Sequence, residues 1–190
     1  VLEGITVGGK ALREHFEAIN HRNAIYYVED IIKKEESFSE WQIRNIHQLI
    51  LKNIDDENAG QYRQQNVLIS GATNTPPDYT LLNDKMAQLV DWYNTQADLM
   101  HPIERAAKVY ADFVGIHPFI DGNGCISRLL LNLELLKAGY PPCVITVENY
   151  LAYHEALDQW MAYGKTKPFI QLVADAVLEG FKPYQVVIGL

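Results

Sequence analysis

The run His117-Pro118-Phe119-Ile120-Asp121-Gly122-Asn123-Gly124-Cys125-Ile126-Ser127-Arg128 gathers a base, a carboxylate, two glycines flanking an asparagine, and an arginine. Histidine titrates near neutrality, so His117 can take a proton from a hydroxyl. Asp121 can hold Mg²⁺, which in nucleotide sites is bound by one or two carboxylates plus phosphate oxygens. Gly122 and Gly124 let the backbone approach a ligand or turn through positive φ. Asn123 can donate its amide to a phosphate oxygen, or simply cap a helix. Arg128 lies one helical turn further on, where its fork of donors can lean back toward a second or third phosphate. Each residue also has a plain structural use: a core histidine, an aspartate turning before glycine, a helix-entry turn, a surface arginine. The full spacing His-x-Phe-x-Asp-Gly-Asn-Gly-x-x-x-Arg is what points to phosphoryl chemistry. The other histidines, His15, His21, His47, His101 and His154, lack such neighbours and read as capped or core residues.

The elements around this run decide whether it can work. Leu129 to Ala138 is rich in Leu, Lys and Glu and closes on Gly139, the pattern of a helix and its stop. The loop therefore opens onto a helix N-terminus, where free N–H groups and the dipole favour an anion. Helical periodicity extends over most of the chain. Lys10 to about Lys34 predicts a helix broken near Asn20. Ser37-Phe38-Ser39-Glu40 reads as a capping box before an apolar series from Trp41 to Leu51. Further helices are expected from about Tyr79 to Gln96 and from Pro102 to about Val114. The motif helix follows, then one from about Tyr150 to Ala162, and a last from Thr166-Lys167-Pro168 to about Glu179, ended near Gly180. Tyr62 to Gly71 is β-rich and Ala72 to Pro77 turn-forming, which predicts a small exposed hairpin or extended flap, or else a surface loop. The expectation is one all-α domain over residues 1–190, a helical bundle with a small β-hairpin flap at 62–77.

The bulk properties exclude several classes. The 190 residues are 48% hydrophobic, enough for a core. Net charge is −8, from 24 acidic against 16 basic residues, which argues against nucleic acid as a partner. No run is long enough to span a membrane and no signal peptide is visible, so no membrane partner is expected. Cys125 and Cys143 form neither a disulfide framework nor a zinc spacing, and fit a reducing, cytoplasmic location.

The signature resembles that of the Fic (filamentation induced by cAMP) family, His-x-Phe-x-Asp/Glu-Gly-Asn-Gly-Arg-x-x-Arg. The likeness extends to Gly60-Gln61-Tyr62-Arg63 with Val67-Leu68-Ile69 and Pro76-Pro77, to His101-Pro102-Ile103-Glu104, and to Ala138-Gly139-Tyr140-Pro141-Pro142. It implies a Fic-type helical bundle that transfers AMP from Mg-ATP to a Ser, Thr or Tyr hydroxyl of a target protein. By that likeness His117 is the general base and Asp121 holds Mg²⁺. Gly122, Asn123, Gly124 and the Cys125 N–H cradle the phosphates, with Arg128 beyond them. Val67, Leu68 and Ile69 would pair with an extended target segment by strand addition. Gly124 stands where kinases of this family have lysine, which favours AMP transfer. Asn149, Tyr150 and Tyr153 are candidates for the adenine pocket, and equally for core aromatics. Relatives often form homodimers, but no stripe in this sequence singles out an interface.

Two further points set this chain apart. Val1-Leu2-Glu3-Gly4, within the segment 1–9, resembles the end of an inhibitory helix pattern, Ser/Thr-x-x-x-Glu-Gly/Asn. Glu3 would then pair with Arg128 and block productive γ-phosphate binding, or, in some relatives, support AMP removal; the alternative is a solvated terminal carboxylate. Cys125 takes the place of the family's first arginine, and a thiol cannot replace a planar charged fork. A weakened AMP transferase, an enzyme for another nucleotide or phosphodiester, and a nucleotide-binding regulatory module without catalysis all fit that change. A redox role for the thiol is the less common use.

Overall fold

The computed structural model describes residues 11–146 and 150–188, with side chains for 11–146 and 151–184. Helix α1 runs Leu12–Lys33 without interruption. The break expected at Asn20 is absent because that side chain is used elsewhere. Asn20 is buried, and its Nδ2 donates to the Ile50 and Lys52 carbonyls at 3.0 and 2.6 Å. These carbonyls lie at the C-terminal end of α2 (Glu40–Leu51), where helix carbonyls lack intrahelical partners. A mid-helix asparagine in α1 thus caps its neighbour. The capping box of α2 uses Ser39 and Gln42 rather than Ser37 and Glu40: each backbone N–H reaches the other's side-chain oxygen, at 3.2 and 3.4 Å.

A 3₁₀ turn, Tyr79–Leu81, leads into α3 (Leu82–Gln96). Pro102 opens α4 (Pro102–Ile116), with His101 as its cap. The signature segment 117–122 then leads into α5 (Asn123–Lys137), followed by α6 (Tyr150–Tyr163) and α7 (Lys167–Ile188). The expected stop at Gly180 is not there, and α7 continues past it. A Cβ at 180 would sit 3.2 Å from the Pro142 carbonyl and 3.3 Å from the Pro141 ring, so this glycine serves close approach and not termination.

α4 is the central element. Its Val109, Phe113 and Ile116 join a core with α1, α2, α3 and α5, built on Ile31, Ile43, Ile46, Met86 and Leu130. Its Ala106, Ala107, Tyr110 and Ala111 join a second core with α6 and α7, around Leu157, Phe169 and Val173. Each large apolar side chain so buried contributes about 1.5–3 kcal/mol. α5 packs along α4, and a buried charge ties the pair to α3. Glu134, fully enclosed, lies 2.8 Å from Arg105 Nε and accepts from the Tyr93 hydroxyl at 2.7 Å. Both ends of the signature segment are therefore fixed to the packed α4–α5 pair.

The described residues contain helices and loops but no strand, which corrects the expected β-hairpin at 62–77. Two isolated strands are marginal without a third partner. Here side chains hold the flap instead. The Asn66 amide donates to Asp78 at 2.8 Å, and the Thr73 N–H donates to Asp158 of α6 at 2.7 Å. The excursion turns at Gly71, φ 79°. Val67 and Ile69 are half-buried while Leu68 is 81% exposed. Among the described residues no helix is long and apolar enough to cross a membrane.

Candidate active site

His117 ends α4 in the left-handed region, φ 50° and ψ 58°. That conformation costs a non-glycine residue about 1–2 kcal/mol, so its surroundings must impose it. The His117 N–H still donates to Phe113 O at 3.0 Å, while Pro118 prevents the helix from continuing. The ring is half-buried and its Nδ1 sits 3.4 Å from the Val114 carbonyl. A carbonyl only accepts, so that contact assigns the proton to Nδ1 and leaves Nε2 as the nitrogen with a lone pair. Burial pushes the His117 imidazole below its ordinary value, and the Arg63 charge lowers it further against the Val114 bond. The ring is thus neutral at pH 7.

The loop beyond it is folded around two clasps. Asn123 is buried, and its amide bonds both backbone groups of Phe119, Nδ2 to O at 2.8 Å and N–H to Oδ1 at 3.0 Å. Its side chain is therefore committed to the loop, and its backbone N–H is the group left to face a phosphate. The second clasp is His47 on α2. Gly60 N–H donates to His47 Nδ1 at 2.8 Å, and Nε2 donates to the Asp121 carbonyl at 3.2 Å. The imidazole stacks on Phe119 at 3.7 Å. A Cβ on Gly122, at φ 80°, would meet this ring at 3.4 Å, so both conformation and space demand glycine there.

His47 carries a pH prediction. Burial lowers it from 6.5 to about 4. Between those values the unfolded chain binds the extra proton and the folded one does not, so stability falls as pH drops from 6.5 to 4. The cost of charging this buried imidazole is absent above pH 6.5 and reaches about 3 kcal/mol by pH 4. Chemical denaturation across this range will show that slope, flattened in His47→Gln. Equal slopes in both proteins would reject the assignment.

α5 begins at Asn123, and its first internal bond is Ile126 N–H to Gly122 O at 3.0 Å. The N–H groups of Asn123, Gly124 and Cys125 consequently have no helical acceptor and point out of the helix start. Arg128, exposed, folds back over this end: its Nη2 lies 3.5 Å from Cys125 Sγ, and its Nη1 lies 3.5 Å from where a Cβ on Gly124 would be. It pairs with no carboxylate among the described residues. Cys125 is a free, half-buried thiol on a cavity of about 120 Å³, shared with Arg13, Glu17 and His21 of α1 and with Asp121 and Gly122. No motif in α1 marks these residues as part of the site; only the packing of α1 against α2 and α5 brings them there.

The Asp121 carboxylate is 57% exposed. One oxygen accepts from Gly122 N–H at 2.7 Å and the other from Arg13 Nη2 at 3.0 Å. No cluster of three His, Cys, Asp or Glu able to hold a metal occurs among the described residues. A lone accessible carboxylate beside free helix N–H groups fits a magnesium ion that arrives with phosphate oxygens, not an all-protein cage.

Tyr153 lies apart from this loop, in the second core. Its ring meets Tyr110 edge-on at 6.1 Å and Phe169 at 6.2 Å, and its hydroxyl shares a hydrogen bond with the Tyr110 hydroxyl. Glu3 and Asn149 fall outside the described residues, as does the Tyr150 side chain.

The Fic/DOC family model matches residues 37–135, just over half of the chain, with α4, the signature loop and most of α5 inside the match. The chain belongs to the Fic/DOC family. Among relatives of this family, the protein adenylyltransferase fic-1 of Caenorhabditis briggsae is 36% identical over 174 residues, 90% of this chain and 34% of that protein. The protein adenylyltransferase Fic of Nematostella vectensis is 37% identical over 172 residues, 90% of this chain and 40% of that protein. This Fic chain thus spans well under half the length of those relatives. The fold agrees with solved Fic structures. Fic-1 (aa134–508) from C. elegans superposes with a TM-score of 0.86 at 32% identity, over 98% of this chain and 56% of that one. A Fic domain containing signaling protein from Bacteroides thetaiotaomicron gives 0.85 at 28%, over 94% and 74%.

Proposed function

We propose that this chain transfers AMP from ATP to a hydroxyl of a target protein. The observation that carries the reading is His117, neutral with its lone pair on Nε2, at one end of a loop whose other end presents three N–H groups without a helical acceptor. The target oxygen attacks the α-phosphorus as Nε2 takes its proton. A new O–P bond forms, the P–O bond to pyrophosphate breaks, and pyrophosphate leaves with that electron pair. The N–H groups of Asn123, Gly124 and Cys125 hold phosphate oxygens, and Arg128 meets the outer phosphates. Asp121 would hold Mg²⁺, releasing Arg13 as it does so; the bound cation supplies charge neutralisation on the phosphates. The target segment pairs with the backbone of Val67 to Ile69, where Val67 and Leu68 have no backbone partner among the described residues. Tyr153 borders the adenine end, and Glu3 restrains the enzyme through Arg128, which pairs with no carboxylate among the described residues.

Cys125 favours a second reading, a module that binds nucleotide but transfers little. One assay separates the two. The protein and its Glu3→Gly variant are incubated with Mg²⁺ and ATP labelled at either the α- or the γ-phosphorus, with the chain itself and a cell extract as acceptors. Protein-bound α-label is expected, stronger in Glu3→Gly. Protein-bound γ-label would make the chain a kinase. ATP binding with neither label transferred would leave the module.

A further inference from the structure

Arg63 is the one charged side chain in the flap that is buried: it is 3% exposed. Its guanidinium has no carboxylate partner among the described residues. All three of its nitrogens instead donate to backbone carbonyls, Nε to His117 at 2.9 Å, Nη1 to Gln65 at 2.8 Å and Nη2 to Pro77 at 2.6 Å. Its own N–H donates to Pro118 O at 2.9 Å. Gln65 and Pro77 stand at the two roots of the flap, and His117 and Pro118 at the start of the signature loop. One cation therefore pins three separate stretches of chain at fixed spacing. Burying an unpaired guanidinium is costly, and burial does lower its basicity, with exposed Asp78 only partly opposing. A neutral glutamine could tie two of these carbonyls at less cost, so holding the flap alone does not account for an arginine.

We propose that Arg63 is the positioning residue for the general base: its fork holds His117 in the left-handed conformation and sets the distance from the imidazole to the flap edge that receives the target. The inference rests on His117 being that base. The planar fork explains the residue type, since three divergent carbonyls need donors in one rigid plane, which a lysine cannot supply. The charge explains the rest. The His117 ring faces the Val114 carbonyl from α4 and Arg63 from the flap root. A permanent cation there opposes a second positive charge on the imidazole and keeps it ready to accept a proton.

The test compares Arg63→Met and Arg63→Lys with the parent, as folded protein, by three readouts: α-label transfer onto the chain itself, ATP binding by calorimetry, and the His117 titration followed by NMR of labelled histidine. In Arg63→Met, transfer at saturating ATP is expected to fall at least about 30-fold, with ATP affinity within about twofold and the His117 midpoint raised. Arg63→Lys keeps the charge, so its midpoint stays near the parent's while transfer remains reduced. Should Arg63→Met not fold, that Lys pattern alone supports the proposal. Unchanged transfer per folded molecule together with an unmoved midpoint in either folded variant would overturn it and leave Arg63 a structural pin. His117→Ala is run in parallel. Transfer surviving in that protein sinks the base assignment, while the titration still decides whether Arg63 governs the ring.

Discussion

Replacing His117 by alanine is expected to abolish α-label transfer, by at least about 10³-fold, with ATP affinity within about twofold of the parent. The split follows from where the ring sits. The groups proposed to bind phosphate belong to the start of α5 and to Arg128, and the loop that presents them is fixed by Asn123 and His47, neither of which contacts the imidazole ring. Removing the ring therefore takes away the proton acceptor and leaves the cradle. The pH dependence sharpens the test. Burial holds His117 below its ordinary value, so the acid limb of kcat/KM lies below pH 6.5, and activity is lost as the ring protonates at lower pH. A variant with substantial transfer, or a parent whose acid limb lies above pH 6.5, would remove His117 from the reaction. Calorimetry and initial rates over pH 5–8 decide it.

Much of this architecture is legible in the residues because helices write a period into the sequence. The apolar positions of α2, α3 and α4 recur at helical spacing, and Pro102 and Gly139 mark a start and a stop. The signature is legible because its chemistry depends on residue types at short, fixed separations. What escaped depends on contacts that leave no local trace. Asn20 looked like a helix breaker because its acceptors, two carbonyls at the end of α2, have no side-chain identity to read. Gly180 looked like a stop because the chain it accommodates, Pro141-Pro142, lies 38 residues upstream. His47 looked like an ordinary core histidine, as it is, but its bonds to Gly60 and Asp121 link the approach to the flap with the loop. Arg63 sits in a polar stretch that reads as surface, and all its partners are backbone. The β-rich composition of 62–71 was real, yet a strand needs a neighbour, and among the described residues the one backbone hydrogen bond from 62–71 to another segment is Arg63 N–H to Pro118 O.

Cys125→Arg is expected to raise ATP affinity or transfer rate about tenfold or more, the worth of a charged hydrogen bond of about 1.5–3 kcal/mol. Position 125 is the third residue of α5, with its N–H outward at the same helix end that Arg128 folds over. A side chain long enough to leave the cavity beside Arg13 and Asp121 would carry its fork toward the phosphates, where the thiol offers only a weak contact to Arg128. The gain has a cost in the free protein. Arg13, Arg128 and a new arginine would crowd one helix N-terminus, itself electropositive, so the nucleotide-free variant should unfold at lower denaturant than the parent and recover on adding Mg-ATP. That opposite movement of free stability and ligand affinity distinguishes a phosphate-binding position from a packing one. If the cysteine is there only to fill space, arginine lowers stability with and without nucleotide and improves neither affinity nor rate. In that case the thiol is not a lost phosphate contact, and the nucleotide must be held without any side chain from position 125.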